Sequence, residues 1–153
     1  MLSLKFKKTA KLRVMAKKGL RKIEELVHLG KADLHIHSNY SDGKPSVEEI
    51  LDYVQEKTDL DVIAISDHDT LEGALKAAEI MKTKSYRFGL VIAEEITARE
   101  GHILGLFLKK PISRGLPAIE VLKQIHRQAG FAIACHPFER TRLRHPTLPT
   151  MNG

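Results

Sequence analysis

Cysteine occurs once in the 153 residues, as Cys135. That single thiol excludes an internal disulfide and a cysteine-rich zinc module, and a reducing cytoplasm is the expected compartment. No stretch approaches the ~18 consecutive apolar residues of a membrane span. The first residues lack the apolar core of a secretory signal. A glycine-rich phosphate loop is also missing, so charge for binding phosphate must come from elsewhere. What remains is ordinary: 42% hydrophobic and 29% charged residues, the balance of a soluble globular protein. The length fits one modest domain.

The net charge of +6 is unevenly spread. Residues 1–31 carry ten Lys/Arg against two acids, and residues 32–153 carry fifteen against seventeen. The basicity therefore belongs to an N-terminal extension, and the body is slightly acidic. Leu12, Met15, Ala16, Gly19, Leu20, Ile23 and Val27 recur at spacings of three and four, which predicts an amphipathic helix within residues 1–30. Lys17, Lys18, Arg21 and Lys22 fall largely between them. Such a helix packs one stripe on the body, or it offers a basic surface to nucleic acid or to anionic lipid as a peripheral contact.

The body, residues 31–153, alternates strands and helices. Ala32–His37 has period two and reads as a strand. Val47, Ile50, Leu51 and Val54 mark a helix that Ser46 and Glu49 open with a capping box. Asp61–Ser66 contains an apolar run suited to a strand buried on both faces. Leu71, Ala74, Leu75 and Ala78 mark a second helix, and Gly89–Glu95 and Ile103–Leu108 two more strands. A third helix runs from Pro117 to a stop at Gly130, before a fifth strand, Phe131–Cys135. This succession predicts an α/β fold with a largely parallel sheet. Six residues between Glu95 and His102 are too few for a parallel crossover. Those two strands should form an antiparallel hairpin, with Glu95 and His102 at one edge of the sheet.

Chemistry-bearing residues gather at the strand ends. Asp33, His35 and His37 alternate, so one face of the strand should carry all three. Two imidazoles and a carboxylate are poor core material, and a metal ion resolves their burial. Asp42 adds a carboxylate in the next loop. Asp67 and His68 end the second strand, while Asp69 and Thr70 read as helix caps. Glu94 and Glu95 point to opposite faces, so at most one reaches the site. His102 opens the hairpin return and His136 ends the fifth strand. Imidazoles and carboxylates in this mixture suit two or three ions of Zn²⁺, Mn²⁺ or Fe. His28, His126 and His145 lie outside the pattern. Cys135 should point away from His136 as a small buried residue.

Asp33-Leu-His-Ile-His-Ser-Asn-Tyr-Ser-Asp-Gly43, Ile65-Ser-Asp-His-Asp-Thr70, Glu94-Glu-Ile-Thr97, Gly101-His-Ile-Leu-Gly105 and Cys135-His-Pro-Phe138 resemble the successive motifs of the PHP family. These are the polymerase and histidinol phosphatase metal-dependent phosphoesterases. The resemblance runs from Lys31 to Phe138 and implies a distorted seven-stranded (βα) barrel, here about its first five strands. It also implies ligands: His35 and His37 for a first ion, Glu95 bridging to a second, His102 and His136 completing the second, and Asp42 and His68 holding a third. Asp33 and Asp67 would orient ligand imidazoles. The family's later strands and closing Asp-x-His motif have no counterpart after His136, so the chain is expected to be the N-terminal portion of the domain.

By resemblance the activity is hydrolysis of a phosphomonoester or nucleotide by metal-bound water, with Glu95 as the bridging ligand. Cleavage of DNA or RNA is the competing enzyme reading, with the basic extension holding the strand. An inert metal-binding or interaction module is the competing non-enzyme reading. An amidohydrolase also begins with His-x-His, but Ser41-Asp42-Gly43 and Ser66-Asp67-His68-Asp69 fit the PHP pattern better.

Overall fold

A computed structural model describes residues 30–137. The amphipathic extension, His28, His145 and the chain from Phe138 onward lie outside the described residues. The elements are β1 (Ala32–Ile36), α1 (Val47–Lys57), β2 (Val62–Ile65), α2 (Glu72–Thr83), β3 (Gly89–Thr97), β4 (His102–Leu106), α3 (Ala118–Arg127) and β5 (Phe131–Ala134).

The expected capping box opens α1. The Ser46 hydroxyl accepts the Glu49 backbone N–H at 3.3 Å, and Glu49 Oε2 accepts the Ser46 N–H at 2.8 Å. Val47, Ile50, Leu51 and Val54 then fall on one buried stripe, the 3.6-residue period at work. At α2 the local expectation fails in part. Thr70 does accept the Glu72 N–H through its hydroxyl, but Asp69 caps nothing. Its Oδ1 accepts the Thr97 N–H at 2.7 Å and its Oδ2 the Thr97 hydroxyl at 2.9 Å. A partner 28 residues away overrides the cap.

The five strands form one curled sheet in the order β1-β2-β3-β4-β5, a partial barrel. The pairs β1/β2 and β2/β3 are parallel, while β3/β4 and β4/β5 are antiparallel. The sheet is thus less parallel than expected, for one reason. The hairpin reverses β4, and α3 returns β5 in the direction of β3, so both pairings of β4 become antiparallel. The C-terminal ends of β1, β2, β3 and β5 consequently meet the N-terminal end of β4 along one edge.

The hairpin is tighter than the spacing suggested. Pairing continues to Thr97 opposite His102, which puts Glu95 opposite Leu104 rather than at the strand's last position. At the far end α3 stops before Gly130, where Ala129 takes a left-handed φ of 60°.

Core packing follows the two faces of the sheet. On the helical side Ile63 and Ile65 meet Ile50, Leu51, Val54, Ala74 and Ala77 beneath α1 and α2. Ile96 and Ile103 meet Val121 and Ile125 beneath α3. On the opposite, concave side Ala64, Val91, Ala93, Leu104, Leu106 and Cys135 form an apolar floor. No helix among the described residues is long and apolar enough to cross a membrane.

Candidate metal centre

Every side chain singled out as a ligand reaches one place at the C-terminal edge of the parallel strands. Glu95 is its centre, a carboxylate with no solvent exposure. Its Oε2 lies 2.7 Å from His35 Nε2, 2.8 Å from His37 Nε2 and 3.6 Å from His68 Nε2. Its Oε1 lies 3.0 Å from His102 Nδ1 and 3.4 Å from His136 Nε2. Asp42 joins from the rim, 2.6 Å from His37 Nδ1 and 3.8 Å from His68 Nε2. The two imidazole nitrogens of His35 and His37 stand only 3.0 Å apart.

The loop that delivers Asp42 is held from beneath. Buried Asp67 accepts the Ser38 backbone N–H, the Ser38 hydroxyl and the Ser41 hydroxyl, each at 2.7 Å. Asp67 therefore grips the backbone and hydroxyls of the Asp42 loop, not an imidazole as expected. Asp33 likewise departs from expectation, because its Oδ1 accepts the backbone N–H of His35. Its side chain lines a groove of about 880 Å³ beside α1 with Ile36, Ile50 and Tyr53, while His35 and His37 turn into the site. The clamp by Asp67 requires a glycine at the start of α2. A Cβ on Gly73 would lie 2.1 Å from Asp67 Oδ2 and 2.8 Å from the Ser38 hydroxyl.

Electrostatics follow this geometry. Burial alone would push the Glu95 carboxyl up, but the hydrogen bonds of His35 and His37, with the charges of His35 and His68, hold it far below the usual carboxylate range. Its hydrogen bond to Glu95 raises the His37 pKa, against desolvation and with help from Asp42. Burial lowers that of His68, outweighing the pull of the Glu95 charge. Next along β3, Glu94 faces the other way, as alternation requires. Burial pushes its carboxyl up to about 7, against the hydrogen bond from the Ile112 N–H and with the Asp69 charge. Its Oε1 has no hydrogen-bond partner.

Cys135 corrects the sequence reading. It does not turn away from the site: its sulfur joins His35 and Glu95 in a group whose donor atoms lie within 4.8 Å of one another. The reason is His136, whose φ of 31° breaks the period-two alternation, so neighbouring residues both reach the centre. Pro137 gives no warning of this, because proline biases the residue before it toward extended φ. Burial and the Glu95 charge push the thiol up to about 12.

A metal ion fits these donors. His37, His68 and Glu95 form a second compact group, and Glu95, His102 and His136 a third. A neutral imidazole gives a single N–H, yet the Nε2 atoms of His35 and His37 both face Glu95 Oε2 and stand 3.0 Å from each other. Cations among the rings resolve that conflict. The triangle of His35, His37 and Glu95 donor atoms, with edges of 2.7, 2.8 and 3.0 Å, is slightly tighter than the roughly 3.3 Å edges implied by tetrahedral bonds of about 2 Å.

Comparison with known proteins agrees with this reading. The PHP domain family model matches residues 33–106. An uncharacterized protein of Methanocaldococcus jannaschii, MJ1587, is 41% identical over 118 residues, which cover 71% of this chain and 68% of that one. A phosphoribosyl 1,2-cyclic phosphate 1,2-diphosphodiesterase of Eggerthella lenta is 32% identical over 98 residues, 59% of this chain but 34% of its own length. Among solved structures, a two-domain Bacteroides vulgatus protein containing a predicted PHP-like metal-dependent phosphoesterase superposes with a TM-score of 0.63. That match has 21% identity and covers 78% of this chain and 38% of the other, so it speaks for the fold alone. The matched span opens at the His-x-His strand and continues through Glu95 into β4, and with a relative 41% identical of which this chain covers 68%, the chain belongs to the PHP family.

Proposed function

We propose that this chain carries the metal centre of a phosphoesterase that hydrolyses a small phosphorylated substrate or nucleotide. The observation that supports it most is the convergence of five imidazoles on the fully buried Glu95. In this reading His35 and His37 would hold one ion, His102 and His136 a second, and Asp42 with His68 a third, with Glu95 as a ligand shared between the first two. Divalent Zn²⁺, Mn²⁺ or Fe there would supply Lewis acidity toward the phosphoryl group and lower the pKa of a water for in-line attack.

The residues' own tasks follow from their placement. Glu95 would meet the ions as a carboxylate, because the imidazoles around it hold its pKa below the usual carboxylate range. Asp67, through Ser38 and Ser41, fixes the loop that presents Asp42. Residues 31–153 act as the PHP unit and residues 1–30 as an added basic segment, with the cytoplasm as its compartment. The Eggerthella lenta relative is named as a diphosphodiesterase of phosphoribosyl 1,2-cyclic phosphate, which supports including a ribose cyclic phosphate among the substrates tried.

The test is hydrolysis of a nucleoside monophosphate, a ribose cyclic phosphate and a short oligonucleotide by the protein with Zn²⁺ or Mn²⁺. Turnover of either small ester that falls at least ~100-fold in His37→Ala is expected, as loss of a ligand to a reacting centre implies. Turnover no greater than that of His37→Ala on all three substrates would leave a metal-binding module instead, and cleavage confined to the oligonucleotide would make it a nuclease.

A further inference from the structure

We propose that the Cys135 sulfur is itself a ligand of the ion held by His35 and Glu95, and that it biases this position toward Zn²⁺ over Mn²⁺. The inference rests on the metal-centre reading above but not on any hydrolytic activity. Three independent features carry it.

First, the Cys135 sulfur, a His35 ring nitrogen and a Glu95 oxygen lie within 4.8 Å of one another, close enough for a single ion to draw them together. Second, the sulfur is placed by the backbone rather than by chance. The Cys135 N–H donates to the His102 carbonyl at 3.0 Å, which locks the residue to β4, the strand that also brings His102 to Glu95. Third, the polar group the thiol faces is Glu95 itself, whose charge and hydrogen bonding both act on it. The thiol sits on the apolar floor with Ala64, Ala93 and Leu104, and its hydrogen-bond contact with the Ile133 carbonyl is a long 4.0 Å. At 6% exposure it is shielded from oxidants that would attack an open thiolate.

Coordination would replace the S–H bond by a sulfur–metal bond, with the proton released to solvent and no change of oxidation state. A soft sulfur among imidazole and carboxylate donors favours Zn²⁺ and Co²⁺ and does nothing for Mn²⁺. The imidazole and carboxylate donors alone would not make that distinction so sharply.

The experiment is a Co²⁺ titration of the protein followed by optical spectroscopy, beside Cys135→Ser and Cys135→Ala. A near-ultraviolet sulfur-to-Co²⁺ charge-transfer band is expected in the parent protein and absent from both variants. Zn²⁺ affinity should fall at least ~10-fold in the variants while Mn²⁺ affinity stays within about twofold, following ligand softness. The band in the parent protein needs no variant to fold, so an unstable Cys135→Ala leaves the question decidable. Visible Co²⁺ bands without the near-ultraviolet one would overturn the proposal and leave the metal centre standing. No Co²⁺, Zn²⁺ or Mn²⁺ bound at all would overturn both.

Discussion

The two halves of the sheet hold their ligands by different means. In the parallel half, β1 to β3, His35, His37 and His68 come from strand ends, and Asp42 comes from a loop fastened by three hydrogen bonds to buried Asp67. In the antiparallel half, β3 to β5, His102 and His136 depend on strand register. Thr97 faces His102 across the hairpin, and the Cys135 N–H ties β5 to the His102 carbonyl. Side-chain polarity preorganises one half and main-chain pairing the other. Glu95 belongs to both, one oxygen turned to each. Substitutions should therefore separate the halves except at that residue.

The largest effect is expected at Glu95. Glu95→Ala removes the one group common to all three donor clusters and leaves half-buried imidazoles without their shared carboxylate. Metal affinity should fall at least ~100-fold at every position, since even outer partners of ligands cost about 10–100-fold. Calorimetric titration with Zn²⁺, with elemental analysis of stoichiometry, checks it. Retention of one tight ion would show that the halves bind independently.

Asp67→Ala should come next and strike one half. Three hydrogen bonds to a buried charge vanish, at a cost of roughly 4 kcal/mol given about 1.5–3 kcal/mol for each charged bond and partial relaxation. Urea denaturation measures that loss. Histidine NMR should show His37 and His68 shifted and His102 left in place, and equal shifts in both halves would defeat the comparison.

Glu94 sharpens it through pH. Its carboxyl is pushed up to about 7 by burial, above the usual 4.5 of the unfolded chain. The folded state therefore holds the proton longer, and stability falls as pH rises from about 4.5 through about 7. The full drop is on the order of 3 kcal/mol. Glu94→Gln should flatten that segment of the stability–pH curve, and a parallel curve for the variant would refute the assignment.

Ser46→Ala, at the capping box of α1 and outside both halves of the site, should cost only about 1 kcal/mol. Denaturation midpoints register it, and metal affinity should not move.

These contrasts also explain what could be read from sequence. Elements governed by local chemistry were legible: the Ser46/Glu49 box, the apolar stripe of α1, and the hairpin forced by a six-residue gap. So was the gathering of His35, His37, Asp42, His68, Glu95, His102 and His136, because strand ends in such a sheet share an edge. Long-range partners were not. Asp69 looks like a cap until Thr97 arrives from β3, and Asp67 looks like a support for imidazoles until Ser38 and Ser41 fold over it. Cys135 was misplaced because alternation holds only while φ stays extended, and one left-handed residue at His136 cancels it. No neighbour in the chain announces any of these.

The glycine at position 73 has a bearing on how this protein can be engineered. Stability redesign commonly replaces a helical glycine by alanine and gains up to about 1 kcal/mol in helix propensity. Gly73 stands at the start of a twelve-residue helix and binds nothing itself, so such a scheme would select it early. Yet the methyl group would arrive 2.1 Å from the oxygen that fastens the Asp42 loop. Asp67 would have to withdraw, and Ser38 and Ser41 would lose their anchor. The loss of those anchoring hydrogen bonds, roughly 4 kcal/mol, outweighs the gain in helix propensity, so a library screened for melting temperature and one screened for bound metal would both reject the clone.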